Sequence, residues 1–192
     1  MAITRITAPS ITGLVIPNTS INNASLDSVT ALPSGVPVGK IGQVVQVTKT
    51  DSSTISLSTG SLYTFMTANI TPSATTSKIL ISYVVHMGQQ SNQAFPYCTI
   101  RRDGSDIFRA DAVGSRQRAT STSGGNSANN STQYNLTQTQ QFLDSPNSIS
   151  SLAYTLNAGG YSSRTFYINI PDSNGDFIAS ATSTLTLMEV LA

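Results

Sequence analysis

Residues 78–87 read Lys78-Ile79-Leu80-Ile81-Ser82-Tyr83-Val84-Val85-His86-Met87, a β-branched and aromatic run with apolar side chains on both sides of a period-2 repeat. Both faces of such a strand need cover. A central strand with a second sheet on one face and a neighbouring subunit on the other meets that need. Helical spacing does not compete here or anywhere downstream of residue 40.

Working outward, the same period recurs. Leu152, Tyr154 and Leu156 alternate with Ser151, Ala153 and Thr155, and Phe166, Ile168 and Ile170 alternate with Thr165, Tyr167 and Asn169. Each strand therefore presents one core face and one small, polar face. Further strands are expected at Ile41–Thr48, Leu62–Ile70, Tyr97–Arg102, Asp106–Ala110, Gln138–Leu143 and Thr184–Val190. Together these are more strands than a single small sheet holds, so the expected fold is all-β, a two-sheet sandwich.

Turn chemistry agrees. Arg102-Asp103-Gly104-Ser105 is a type I′ hairpin signal, Gly159-Gly160 supplies two permissive residues, and Asp172-Ser173-Asn174-Gly175 closes a third turn. The stretch from Ala119 to Gln133 carries nothing apolar larger than alanine. It is expected to be a long exposed loop, or one ordered only by other chains.

The first 38 residues follow another rule. Ile3, Ile6, Ile11, Leu14, Ile16, Ile21 and Leu26 recur at irregular intervals among Pro9, Pro17, Pro33 and Pro37, too sparsely for a core of their own. Three copies wound about one axis would give these side chains a shared apolar interior. Residues 1–38 are thus expected to form an extended attachment arm or short shaft, and residues 39–192 the head. No apolar run approaches the ~20 residues of a membrane span, and the N-terminus lacks the continuous apolar centre of a signal peptide.

Composition narrows function. Only 10% of the 192 residues are charged and the formal net charge is +1, while 29 serines and 25 threonines supply the polarity. A surface without a charge footprint is a poor partner for nucleic acid or anionic lipid, and one that desolvates cheaply favours association with its own copies. The lone Cys98 excludes an internal disulfide and reads as a small buried side chain.

Catalytic patterns are missing. The one histidine, His86, ends an apolar strand and is expected to be structural or interfacial; the one glutamate, Glu189, lies in the last strand, and most of the eight aspartates sit in turn signals. Asp172-x-Asn174-x-Asp176 has Phe177 where a calcium loop needs glycine. Neither an enzyme nor a cofactor or metal is expected. The remaining concentration of charge is Arg101, Arg102, Asp103, Asp106, Arg109, Asp111, Arg116 and Arg118. Interleaved signs point to an ion-pair network, within or between subunits. The alternative is a patch for an anionic glycan, since arginine offers carboxylate or phosphate a planar fork. Receptor or inter-subunit contact is accordingly placed on Arg109, Arg116, Arg118, Asn126, Asn129, Asn130 and Tyr134.

Five blocks, in order, carry a resemblance: Gly39-Lys40-Ile41-Gly42-Gln43-Val44-Val45-Gln46-Val47, Ile70 to Leu80, Arg102-Asp103-Gly104, Phe142-Leu143-Asp144-Ser145-Pro146, and Thr184 to Val190. The chain resembles tailed-bacteriophage virion proteins, especially fibre-type proteins of phages of aquatic bacteria. That resemblance implies a jelly-roll-like head that forms homotrimers, an N-terminal segment that attaches it to other virion proteins, and location in the virion. The expected role is a short tail fibre docked on the tail or baseplate, its head meeting a host surface glycan. The alternative is a capsid decoration or cement protein, or a head fibre.

Overall fold

The computed structural model describes residues 40–89, 96–122, 135–160, 163–171 and 179–191. The arm positions Ile3, Ile6, Ile11, Leu14, Ile16, Ile21 and Leu26, the expected turn at Asp172–Gly175, and Asn126, Asn129, Asn130 and Tyr134 lie outside them. Eleven strands follow: β1 (Ile41–Lys49), β2 (Ser53–Leu57), β3 (Leu62–Ile70), β4 (Lys78–Gln89), β5 (Tyr97–Arg102), β6 (Ser105–Phe108), β7 (Ser121–Thr122), β8 (Asn135–Asp144), β9 (Leu152–Gly159), β10 (Arg164–Ile168) and β11 (Ser183–Val190). Among the described residues there is no helix.

The strands form two antiparallel sheets. In the first, β1, β11, β4 and β8 lie side by side, with β10 and β2 continuing beyond the far end of β4; in the second the order is β3, β9, β5, β6, with β7 short beside β5. Setting aside β2, β7 and β10, the remaining strands β1, β3, β4, β5, β6, β8, β9 and β11 pair in chain order, the first with the last, the second with the seventh, the third with the sixth and the fourth with the fifth. A hairpin nested in this way and rolled into two sheets is a jelly roll.

Alternation decides what lies between the sheets. Ile79, Ile81, Tyr83, Val85 and Met87 of β4 point inward and meet Leu152, Tyr154, Leu156 and Ala158 of β9, with Leu185 and Leu187 of β11 beside them. Each large apolar side chain taken out of water in this layer contributes about 1.5–3 kcal/mol. Cys98 lies in the same core, fully buried, and burial pushes its thiol up to about 12. Phe108 of β6 and Phe142 of β8 stack at 4.3 Å between centroids, closing the edge where the two sheets end.

Polar groups secure the sandwich. Asp144 accepts from Arg102 Nη1 at 2.5 Å and from the Tyr154 hydroxyl at 2.7 Å. Glu189, 1% exposed, accepts from Gln43 Nε2 at 2.8 Å and from the Ser73 backbone and hydroxyl at 2.6 and 2.7 Å. No cation pairs with Glu189 among the described residues.

Several expectations need correction. β2 is not legible from DSSTISLSTG, because serine and threonine mask a strand that only Ile55 and Leu57 anchor. The strand expected to run to Ile170 stops at Ile168, where Asn169 turns to φ 66°. Its second face is not small and solvated either: Phe166, Tyr167, Ile168 and Asn169 are all buried. Ala119 is 5% exposed, and Ser121–Thr122 pair with β5, so the polar stretch begins inside the sheet. Gly159 and Gly160 act through space rather than turning: a Cβ on Gly159 would meet the Tyr97 ring at 2.4 Å, and one on Gly160 the Phe166 ring at 2.0 Å. The β5–β6 hairpin is as expected, with Asp103 at φ 48° and Gly104 at φ 80°, the two positive angles of a type I′ turn.

Candidate functional site

The charged cluster gathers on the outer face of the second sheet. Alternation along β5 sends Cys98 and Ile100 into the core and puts Tyr97, Thr99 and Arg101 on the opposite side. After β6 the chain leaves the sheet and doubles back: Ala110 N donates to Ala119 O at 3.0 Å, and Arg116 N to Val113 O at 3.2 Å around Gly114 at φ 55°. Thr120 fastens this excursion to the sheet. Its hydroxyl accepts from Ile100 N at 3.0 Å and donates to Phe108 O, where the β5–β6 register shifts.

The result is a groove of about 350 Å³ lined by Gly60, Leu62, Tyr97, Thr99, Asp106, Arg109, Arg116, Gln117 and Arg118. Arg109, Arg116 and Arg118 thus line one groove. Asp106 accepts from Arg109 Nη1 at 2.6 Å on one oxygen, and its other oxygen lies 3.1 Å from Arg101 Nε, an ion pair without hydrogen-bond geometry. Arg118 Nε donates to Ala110 O at 2.7 Å, which holds the excursion closed. Among the described residues neither Arg116 nor Arg118 has a carboxylate within ion-pair distance, so the expected ion-pair network covers only part of the cluster. Arg102 belongs elsewhere, in the pair with Asp144.

Sequence reasoning missed the floor of this groove. Thr99 is 2% exposed and its hydroxyl has no partner among the described residues. Tyr97 lies across Gly159, and burial, with Asp106 nearby, raises its phenol above the ordinary value. Neither residue carried a signal in the sequence, because the cover over this face comes from residues 109–120, about 10–20 positions downstream.

A second feature lies on the outer face of the first sheet. Register places Val44, Met188, Leu80 and Leu143 in one row across β1, β11, β4 and β8. Val44 is 57% and Leu143 45% exposed, and Ile41 and Val190 extend the row at the corner where β1 begins. The neighbouring rows are Gln46, Thr186, Ser82, Gln141 and then Thr48, Thr184, Val84, Thr139. His86 ends the same face, with Nδ1 3.0 Å from the Thr137 hydroxyl. The apolar outer positions of β4 were legible in residues 78–87; their alignment with Val44, Met188 and Leu143 was not.

No group of three or more metal-ligating side chains occurs among the described residues. No family model matches the chain, and no curated protein matches it. Among solved structures it is similar to the VP2 subviral particle of infectious bursal disease virus, with a TM-score of 0.41 and 17% identity over 78% of this chain and 37% of that one. The Gx strain of the same virus gives a TM-score of 0.38, also at 17% identity and with the same coverage. The chain thus spans well under half the length of these neighbours, and the jelly-roll assignment stands on its own strand order.

Proposed function

We propose that this chain is a self-associating virion structural protein, a short homotrimeric tail fibre. Residues 1–38 attach it to the tail or baseplate, and the jelly-roll head meets the host surface. The observation that carries the self-association is the outer face of the first sheet, where an apolar row of four strands sits among threonine, serine and glutamine. On β1, β11, β4 and β8 the outward positions bear no ionisable side chain apart from Lys78 and His86 at the margins. A second copy is the occupant it suits, because an uncharged face meets its own copy without repulsion and without desolvating charge. The ordered sequence blocks that resemble phage fibre proteins supply the virion context, and the jelly roll is a fold that capsid and lectin domains use. A fold alone assigns no function.

Sedimentation velocity at micromolar concentration is the test. The full chain is expected to run as a trimer, and Val44→Glu with Leu143→Glu as a monomer that keeps its β-type circular dichroism. Val113→Glu, at a 60% exposed position off this face, leaves the trimer intact. A monomeric wild type would remove this reading. Cryo-electron microscopy of the particle then fixes the address: density at the tail supports the fibre, and density at threefold positions of the shell makes it the decoration protein.

A further inference from the structure

Resting on the reading of the head as host-facing, we propose that the groove beside β5 and β6 is a binding site for the oxyanion of an acidic saccharide, held between Arg116, Arg118 and the floor at Thr99. Three features lead there. The groove is over-supplied with cations: Arg109, Arg116 and Arg118 line it with Asp106 as the one carboxylate, and Asp106 is within ion-pair distance of Arg101 and Arg109. Among the described residues that leaves Arg116 and Arg118 in the groove without a carboxylate in ion-pair distance.

Thr99 supplies the second feature. A hydroxyl buried to this extent without a partner is costly, by about 1–3 kcal/mol, and such groups in native proteins call for a specific explanation. It lies on the floor of the groove, where an arriving hydrogen-bonding group would satisfy it. The third feature is mounting. The excursion that carries Arg116 to Arg118 is fastened by Thr120 and by the Ala110–Ala119 bond, and Arg118 donates Nε to Ala110 O, with no bond from its terminal nitrogens to the described residues. The fastened backbone sets both arginines on one side of the groove, with the Arg118 fork further fixed through Nε, so that both guanidinium groups can serve one oxyanion.

Size and lining choose the ligand class. A volume of about 350 Å³ is at the small end of ligand sites, enough for a terminal sugar unit rather than a folded partner. The rest of the lining, Gln117 and the Tyr97 edge, is polar and uncharged and suits sugar hydroxyls. Carboxylate on a uronic acid and sulfate on an esterified sugar present the same chemistry to arginine, and the experiment separates them.

The full chain is titrated with oligogalacturonate, dextran sulfate and uncharged dextran by isothermal calorimetry, and its oligomeric state is read in parallel. At least one charged polymer is expected to bind, more weakly as sodium chloride is raised, while uncharged dextran does not. Arg116→Gln, at an exposed side chain with no partner among the described residues, is expected to weaken binding about tenfold, and Arg118→Gln, which also loses the bond to Ala110 O, at least as much. Lys40→Gln, at an exposed position off the groove, leaves it unchanged. The charged polymer that binds more tightly identifies the oxyanion. Failure of both charged polymers to bind, or binding that Arg116→Gln does not weaken, overturns the site. If the protein is then still a trimer, the virion reading survives the loss of the groove; a monomer would remove that reading instead.

Discussion

Asn169 shows how one residue can tie separate strands. It sits at φ 66°, a region asparagine enters more readily than other residues with a side chain, and none of it is exposed. Its Nδ2 donates to Lys49 O at 2.8 Å and Asp51 O at 2.9 Å, its Oδ1 accepts from the Ser183 hydroxyl at 2.6 Å, and its backbone N donates to His86 O at 2.9 Å. The β1–β2 link, β4, β10 and β11 are thus joined through one residue. Asn169→Ala removes three side-chain bonds and strains the dihedral, and is expected to lower unfolding free energy by about 3 kcal/mol or more, read from urea denaturation. Asn169→Gly relieves the strain but not the lost bonds, so it should fall between the two. Equal losses for both variants would show that the dihedral is unimportant.

At the scale of elements, the far end of β4 is closely packed against backbone. β8 runs along one edge of β4 for its whole paired length, while the other edge is shared, β11 covering Lys78 to Val84 and β10 covering Met87 to Gln89. The connection that follows β10 crosses over Gly88, and a Cβ there would lie 2.3 Å from Ile170 O and 2.4 Å from Pro171 O. Both obstacles are backbone and cannot rotate away. Gly88→Ala is expected to cost about 1–3 kcal/mol and lower the melting temperature while the far-ultraviolet spectrum is retained. A variant that melts with the wild type would mean that the Ile170–Pro171 connection shifts freely.

For the whole molecule, low charge makes stability against acid depend on few groups. Nine acidic residues are present in the chain, and among the described ones Glu189 is the one buried without a cation. Burial alone would raise its pKa, but hydrogen bonds from Gln43 and Ser73 outweigh that and hold it at about 2, below the ordinary 4.5. A carboxylate depressed in the folded state adds stability that is present above pH 4.5 and is lost as pH falls toward 2, roughly 3 kcal/mol in all. Those bonds join β1, β11 and the β3–β4 connection, so their loss loosens the end of the sandwich where β1 begins. Glu189→Gln is expected to melt below wild type at pH 6, with the gap closing by pH 2.5. A gap that stays constant with pH would assign the effect to packing.

Much of the fold was legible because a jelly roll is built from alternation, and alternation is local. Leu152, Tyr154 and Leu156 announced their core face, and Asp103-Gly104 announced a turn that only positive dihedrals allow. Nine strands followed from such signals. β2 and β7 did not, since short strands of serine and threonine are held by their neighbours rather than by their own pattern. Likewise, residues 78–87 implied two covered faces, but which residues would align with Leu80 depended on register between strands more than 60 positions apart. Arg116 and Arg118 were marked by charge alone; Thr99 became part of their groove only once the chain doubled back over β5. What the chain determined by itself was therefore the strand period, the tight hairpin and the uncharged surface, each a property of neighbouring residues. The apolar row, the groove floor and the buried Glu189 were decided by tertiary structure, because each depends on which distant strands lie side by side.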